Sequence, residues 1–292
     1  MGMKGFKGFG KDFSCRRKQY EENTTYEEHG VGCCHKGVMH FCEDPWEVLN
    51  HYDLVDDNGN FSEFAEVEAL GQVWNDGEKR ATNKIHIGAK LGFKDFIKAC
   101  IDFTIERTKF DGSSGDSAKI GSSGDSAKIG SSGYYAQIGS SGNYAKIGSS
   151  GDSAKIGSSG NSAQIGSSGN YAKIGSSGYS AQIGSSGNYA KIGSSGNYAK
   201  IGSSGDSAQI GSSGYSAQIN STGEDAVIMC AGSRSKAKGK KGSWITLAEW
   251  VKDEEKGRYV PVCVKTERVD GEKIKEDTYY TLKNGEFVEV EE

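Results

Sequence analysis

From Gly112 to Ile219 the chain repeats Gly-Ser-Ser-Gly-x-x-Ala-x-Ile twelve times without a gap. A thirteenth unit, Asn220 to Ile228, keeps Gly223, Ala226 and Ile228; Gly232 falls on the next glycine position. Trp244-Ile245-Thr246-Leu247 reads as one more unit with an inserted residue. A fixed period of this kind belongs to architectures built by stacking. Glycine and serine in such proportion also suit a flexible linker. A linker, however, has no reason to place Ile at 120, 129, 138, 147, 156, 165, 174, 183, 192, 201, 210 and 219 with Ala two residues before each.

Residues two apart on a strand share a face, so Ala and Ile point inward and the Lys or Gln between them points outward. The Gly-Ser-Ser-Gly segment then makes a corner, with its glycines supplying positive φ. Burying one Ile contributes about 1.5 to 3 kcal/mol, whereas ordering nine residues costs about 1 to 2 kcal/mol each. No unit folds alone. Stacked at about 4.8 Å, the units share backbone hydrogen bonds and an Ala/Ile column. Nine residues are too few to enclose an interior, which points to two repeats per 18-residue coil and two facing sheets. A triangular 27-residue coil is the alternative: Lys then recurs at 119, 146, 173 and 200, and Tyr144, Tyr171 and Tyr198 stack. The expected fold class is mainly β, a β-solenoid between a small α+β N-terminal capping domain (1–110) and a β-hairpin C-terminal cap (248–292), the solenoid running over 111–247 and degenerate after 219.

Composition supports that picture and narrows function. Among 292 residues 35% are hydrophobic and 43 are Gly, too apolar-poor for a large conventional core. Two prolines exclude collagen and proline-rich spacers. A net charge of −4 without a long basic run argues against nucleic acid or an anionic membrane as partner. No apolar run is long enough to cross a bilayer and none of signal-peptide length opens the chain, so a cytoplasmic or virion-associated protein is expected. Seven cysteines at irregular spacing read as reduced thiols rather than a disulfide framework.

In the N-terminal part, Asp44-Pro45-Trp46-Glu47 reads as a capped helix start, running to about Tyr52. Residues 64–70 and 84–87 alternate as strands, and 91–107 carry apolar residues at helical spacing, a stripe suited to covering the first coil. Near the C-terminus, Asp270-Gly271 and Asn284-Gly285 suit two-residue hairpin turns, and Trp244 and Trp250 are large enough to close the core. The segments Phe6-Lys7-Gly8-Phe9, Gly37-Val38-Met39-His40-Phe41-Cys42-Glu43-Asp44-Pro45, the nonamers and Val269-Asp270-Gly271-Glu272-Lys273-Ile274-Lys275 resemble an uncharacterised family of phage and prophage proteins with an N-terminal domain of unknown function before glycine-rich nonamers. That resemblance implies a mobile-element origin and no established activity.

Several constellations compete for function. Calcium-binding nonapeptide rolls share the period, but only Asp116, Asp125, Asp152 and Asp206 supply carboxylates over twelve units. Serine rows invite an ice-binding or surface-adsorbing reading, against which Lys and Gln interrupt the strand surface. Cys33, Cys34, His35, His40 and Cys42 are the candidate metal ligands, though no Cys-x-x-Cys pair is present and no metal is expected. Gly37-x-x-His40-Phe41 followed by a helix ending at Tyr52 resembles part of an ADP-ribosyltransferase, with Arg16 or Arg17 and Glu66 or Glu68 in the polar roles; neither a cleft nor a cofactor is expected. The leading expectation is a non-enzymatic scaffold, monomeric or a small oligomer, that meets an unidentified protein or a flat ligand through Tyr135, Tyr144, Tyr171, Tyr189 and Tyr198.

Overall fold

A computed structural model describes residues 2–290 apart from 17, 34–35, 57–59 and 108–114. The chain divides into two compact units, Met1–Phe103 and Thr104–Glu292.

In the second unit, four-residue strands recur at the repeat period from Lys119–Ser122 to Gln218–Ser221. Lys119 pairs in parallel with Gln137, and Gln137 with Lys155, each partner lying two repeats further along the chain. The intervening strands pair in the same way, Lys128 with Lys146 and Lys146 with Gln164. Two parallel sheets therefore face each other in a β-solenoid of about seven coils. Two repeats make one coil, and the triangular three-repeat coil is excluded, because Ile138 lies over Ile156 and Ile156 over Ile174, with Gly over Gly in the same register. Ala136 through Ala226 and Ile129 through Ile228 are buried, and the Ile residues form two columns, one per sheet, within a single core.

The corners differ from the sequence reading. Positive φ is carried at the sixth repeat position, by Ser, Tyr, Asp and Arg: Ser117 through Arg234 lie between 52° and 60°. The second corner glycine answers a different need. A Cβ at Gly151, Gly160 or Gly178 would stand 1.9 Å from the carbonyl oxygen of the glycine one coil before. Close backbone approach between coils, not handedness, demands Gly there.

Both sheets end in antiparallel hairpins. Trp244–Asp253 extends the first sheet in parallel and folds back into Arg258–Arg268, while Tyr280–Lys283 and Glu286–Glu289 close the second. The last coil is one residue short rather than one long, since Trp244 sits over Val227 where a full two-repeat step would place it over Ala226. That register turns Trp244 outward, 48% exposed, and Trp250 is only partly buried, its Nε1 donating to the Ala231 carbonyl at 2.9 Å. Ile245, Leu247, Val269, Ile274, Tyr280 and Leu282 close the core instead. Asn284 (φ 52°) and Gly285 (φ 72°) make the expected tight turn. Asp270-Gly271 does not join two strands; Asp270 Oδ1 accepts from the N–H groups of Glu272 (2.9 Å) and Ile274 (3.0 Å), a local Asx turn.

The N-terminal unit is an α+β domain. β1 (Met3–Phe9), β6 (Glu63–Ala69), β9 (Lys84–Leu91) and β4 (Thr24–Glu27) form an antiparallel sheet in that order. β2 (Ser14–Cys15) pairs with β3 (Lys18–Gln19), and β5 (Met39–Phe41), β8 (Lys79–Thr82) and β7 (Val73–Asp76) form a third sheet. α1 (Pro45–Val48) starts as the sequence dictates, Asp44 Oδ1 accepting from the Trp46 N–H at 2.9 Å, and is shorter than expected. α2 (Phe93–Arg107) lays Phe96 flat on Phe64 with ring centres 3.6 Å apart, and Trp46 Nε1 donates to the Cys100 carbonyl at 3.0 Å. The stripe assigned from sequence to the first coil is thus occupied inside this unit.

Candidate functional site

Two surfaces carry chemistry, one on each unit. On the solenoid, the outward positions of the first sheet alternate between Lys or Gln and Gly. Lys155, Lys173 and Lys191 stand on three successive coils, exposed and without an acidic partner among the described residues. Like charges in register cost stability. Beside them Gly121, Gly139, Gly157, Gly175, Gly193 and Gly211 have no heavy atom within 4 Å of where a Cβ would stand. Nothing in the packing requires glycine there, and glycine weakens a strand. The two rows bound a shallow trough of about 1170 Å³.

The corners border this face on both sides. With two repeats per coil the five expected tyrosines do not form one ladder. Tyr135, Tyr171 and Tyr189 fall on one edge and Tyr144 and Tyr198 on the other, all 41–62% exposed. Tyr171 stacks on Tyr189 with ring centres 5.0 Å apart and planes within 7°. Tyr198 meets Tyr179 at 5.0 Å and Tyr215 at 5.5 Å, and Arg234 lies over Tyr215 at 5.7 Å. The stack of Tyr144, Tyr171 and Tyr198 that a triangular coil would give therefore does not form.

Sequence reasoning missed Tyr134, Tyr179 and Tyr215 at the fifth repeat position, and missed what usually stands there. Asn143, Asp152, Asn161, Asn170, Asn188 and Asp206 each accept, through Oδ1, the backbone N–H of the equivalent residue one coil on, at 2.7 to 3.0 Å. Tyr179 cannot make this rung, and a tyrosine at the sixth position occupies left-handed backbone at a cost of roughly 1 kcal/mol. Tyrosine at either place therefore works against stability. The signal is visible in the sequence once the fifth positions are sorted into alternate repeats.

In the N-terminal unit a cleft of about 640 Å³ opens where no cleft was expected. It joins Arg16, Phe41 and Tyr52, three of the residues considered for a transferase. Glu66 and Glu68 lie elsewhere on β6, Glu68 accepting from the Gly2 N–H at 2.9 Å, and Arg17 lies outside the described residues. The cleft is lined by Lys7, Cys15, Lys18 and Lys79 as well. Lys7 is buried, its Nζ donating to the His40 carbonyl at 2.9 Å and to Cys15 Sγ at 3.6 Å. Burial holds the Lys7 ammonium below its ordinary range, with Cys15 acting in the opposite sense. The Tyr52 hydroxyl also donates to Cys15 Sγ, at 2.9 Å. Burial, then the Cys15 contact, pushes this phenol up. A Cβ at Gly8 would stand 2.6 Å from the Tyr52 ring, so glycine there lets the ring approach.

Of the candidate metal ligands, the described ones make other contacts or are buried. Cys33 donates to the Asn75 carbonyl at 2.8 Å, and His40 Nε2 lies 2.7 Å from the Cys33 carbonyl. Burial pushes the Cys42 thiol up to about 12. Cys34 and His35 lie outside the described residues, among which no group of three His, Cys, Asp or Glu side chains is placed to hold a metal.

A family model described as a domain of unknown function (DUF7666) matches residues 3–99, which span the N-terminal unit's sheets and the first half of α2. No curated protein and no solved structure matches the chain.

Proposed function

We propose that the chain is a binding scaffold of phage or prophage origin, in which the first sheet of the solenoid receives a flat or extended anionic partner. The glycine row carries this reading. Six glycines on six successive coils stand outward in open space, weakening their strands for no packing reason. Close approach of another surface is the remaining use for a side chain of one hydrogen. The uncompensated lysine row beside it sets the partner's charge, and tyrosines on both edges supply flat apolar contact at a cost to the corner. The resemblance to phage and prophage proteins supports the origin.

The test separates binding from folding. Gly157→Thr, Gly175→Thr and Gly193→Thr together fill the trough and improve strand propensity by up to about 1 kcal/mol per site. Retention of the wild type on acidic polysaccharides and on proteins from a bacterial lysate is compared with that of the triple variant. The variant is expected to melt higher and to lose a salt-sensitive partner that the wild type keeps. A variant that melts higher and still binds removes the trough from the function.

A further inference from the structure

The cleft of the N-terminal unit carries a chemistry separate from the solenoid's. Cys15 ends β2, is partly buried, and presents its sulfur to the cleft. Two donors converge on that sulfur, the Lys7 ammonium at 3.6 Å and the Tyr52 hydroxyl at 2.9 Å. They come from segments on either side of Cys15 in the chain, Lys7 on β1 and Tyr52 beyond α1, so the fold and not local sequence assembles the cluster. A sulfur that accepts from an ammonium and a phenol is held with its lone pairs organised, the arrangement of a thiol that attacks rather than one that fills space.

The cleft also has a sign. Lys18 pairs with Glu28, and Lys79 reaches Asp76 at 3.9 Å. Arg16 and Lys36 have no carboxylate partner among the described residues, and the third N–H of Lys7 has no acceptor there. Arg16 moreover sits at φ 50° in the turn after Cys15, where Asn or Gly is the unstrained choice. A cationic side chain placed at local cost beside a cradled sulfur, in a protein of net charge −4, points to a negatively charged guest. A cleft of about 640 Å³ is of small-molecule size.

We propose that Cys15 is the nucleophile of a site for a small anionic electrophile, a carboxylate or phosphate joined to a carbon that bears a leaving group. The sulfur lone pair forms the new C–S bond, the carbon to leaving-group bond breaks, and the leaving group departs with its electron pair. The thiol proton has gone to solvent before attack. Arg16 and Lys7 hold the anion, and Tyr52 and Lys7 hold the sulfur.

Two alkylating reagents that differ only in charge test this on the full-length protein. Iodoacetate and iodoacetamide transfer the same carbon to sulfur, and a thiolate in open solvent favours the neutral reagent. Peptide mapping gives the iodoacetate to iodoacetamide rate ratio at Cys15, with partly buried Cys263 in the same chain as reference. The ratio at Cys15 is expected to exceed that at Cys263 by roughly tenfold, the lower end of electrostatic focusing in a cleft. Arg16→Gln, at an exposed position, should lower it several-fold without changing the melting curve, and Tyr52→Phe should slow both reagents alike. Equal ratios at Cys15 and Cys263 overturn the proposal. So does a Cys15 preference unchanged in Arg16→Gln and in Lys7→Met, or a Cys15 that reacts only after unfolding.

Discussion

The solenoid and the N-terminal unit use sequence in opposite ways. In the solenoid the parallel pairings from Lys119 to Lys238 keep one separation of two repeats, so a residue's role follows from its place in the repeat: inward Ala and Ile, a rung-making Asn or Asp, a glycine under a neighbouring carbonyl. In the N-terminal unit each contact is unique. β1 pairs with β6 so that Phe9 faces Glu63, Trp46 reaches Cys100, and the Lys7, Cys15 and Tyr52 cluster comes from three separate segments. Periodicity makes a scaffold predictable and leaves little room for a singular constellation. The aperiodic unit brings Lys7, Cys15 and Tyr52 together at one point, and the solenoid offers rows.

The largest test of that contrast is Ile156→Asp. Ile156 is 3% exposed between Ile138 and Ile174 on neighbouring coils. An unpaired buried carboxylate there is expected to cost at least about 4 kcal/mol. The β signal in circular dichroism should be lost at much lower urea, and because the defect repeats into both neighbours, the coils should melt together. An unchanged midpoint would mean that the Ile column is not the core.

Two glycines of neighbouring corner and strand give a sharper test, because they are predicted to differ in sign. A Cβ on Gly169 would stand 2.1 Å from the Gly151 carbonyl oxygen, which backbone pairing holds in place, so Gly169→Ala should destabilise by about 2 to 3 kcal/mol. Gly175 has open space and extended backbone, so Gly175→Ala should stabilise by about 0.5 to 1 kcal/mol. Chemical denaturation of the two variants checks both. The same sign for both would show that the two glycines share one cause.

How much of this is legible without coordinates follows from the same difference. The alternation of Ala and Ile on one strand face and the inability of a single nonamer to enclose a core are enough for the solenoid and its two-repeat coil. Turn chemistry is legible where a dipeptide joins two adjacent strands, as at Asn284-Gly285, and not at Asp270-Gly271, where tertiary closure by Val269 and Ile274 keeps the segment irregular. The corner glycines misled because glycine serves two ends, positive φ and close approach, and a single sequence does not say which. Arg16, Phe41 and Tyr52 were legible as companions through a family likeness, whereas Lys7 and Cys15 carried no spacing signal. A buried lysine facing a sulfur is a product of the folded sheet, and Glu66 and Glu68 were misplaced because β6 turns them away from the cleft.

Smaller effects probe the corner rungs. Asn170→Ala removes the acceptor for the Asn188 N–H and should cost about 0.5 to 1.5 kcal/mol. Tyr179→Asn should do the reverse, restoring a rung toward Asn197 and raising stability by about 1 kcal/mol while thinning the aromatic edge with Tyr198. Thermal melts compare the two. A stabilised Tyr179→Asn variant with weakened partner retention would show that the edge tyrosines are kept for recognition against the interest of the fold.

The smallest expected effect concerns serine and separates the two units once more. The second repeat position points its serine inward, and Ser149, Ser167, Ser185 and Ser203 bury a hydroxyl oxygen that has no hydrogen-bond partner. Ser62 in the N-terminal unit is also buried, but its hydroxyl donates to the Asp53 carbonyl at 2.6 Å. Leaving a buried hydroxyl unsatisfied costs about 1 to 3 kcal/mol, and removing it recovers that cost less a small packing loss. Ser167→Ala is therefore expected to be neutral or to stabilise by up to about 1 kcal/mol, whereas Ser62→Ala should destabilise by about 1 kcal/mol or more through its lost bond. Denaturant midpoints of the two variants decide it. A clear loss of stability in Ser167→Ala would mean that the inward serines bond one another along the stack, making the row a hydrogen-bonded ladder rather than a set of small fillers between the Ile columns.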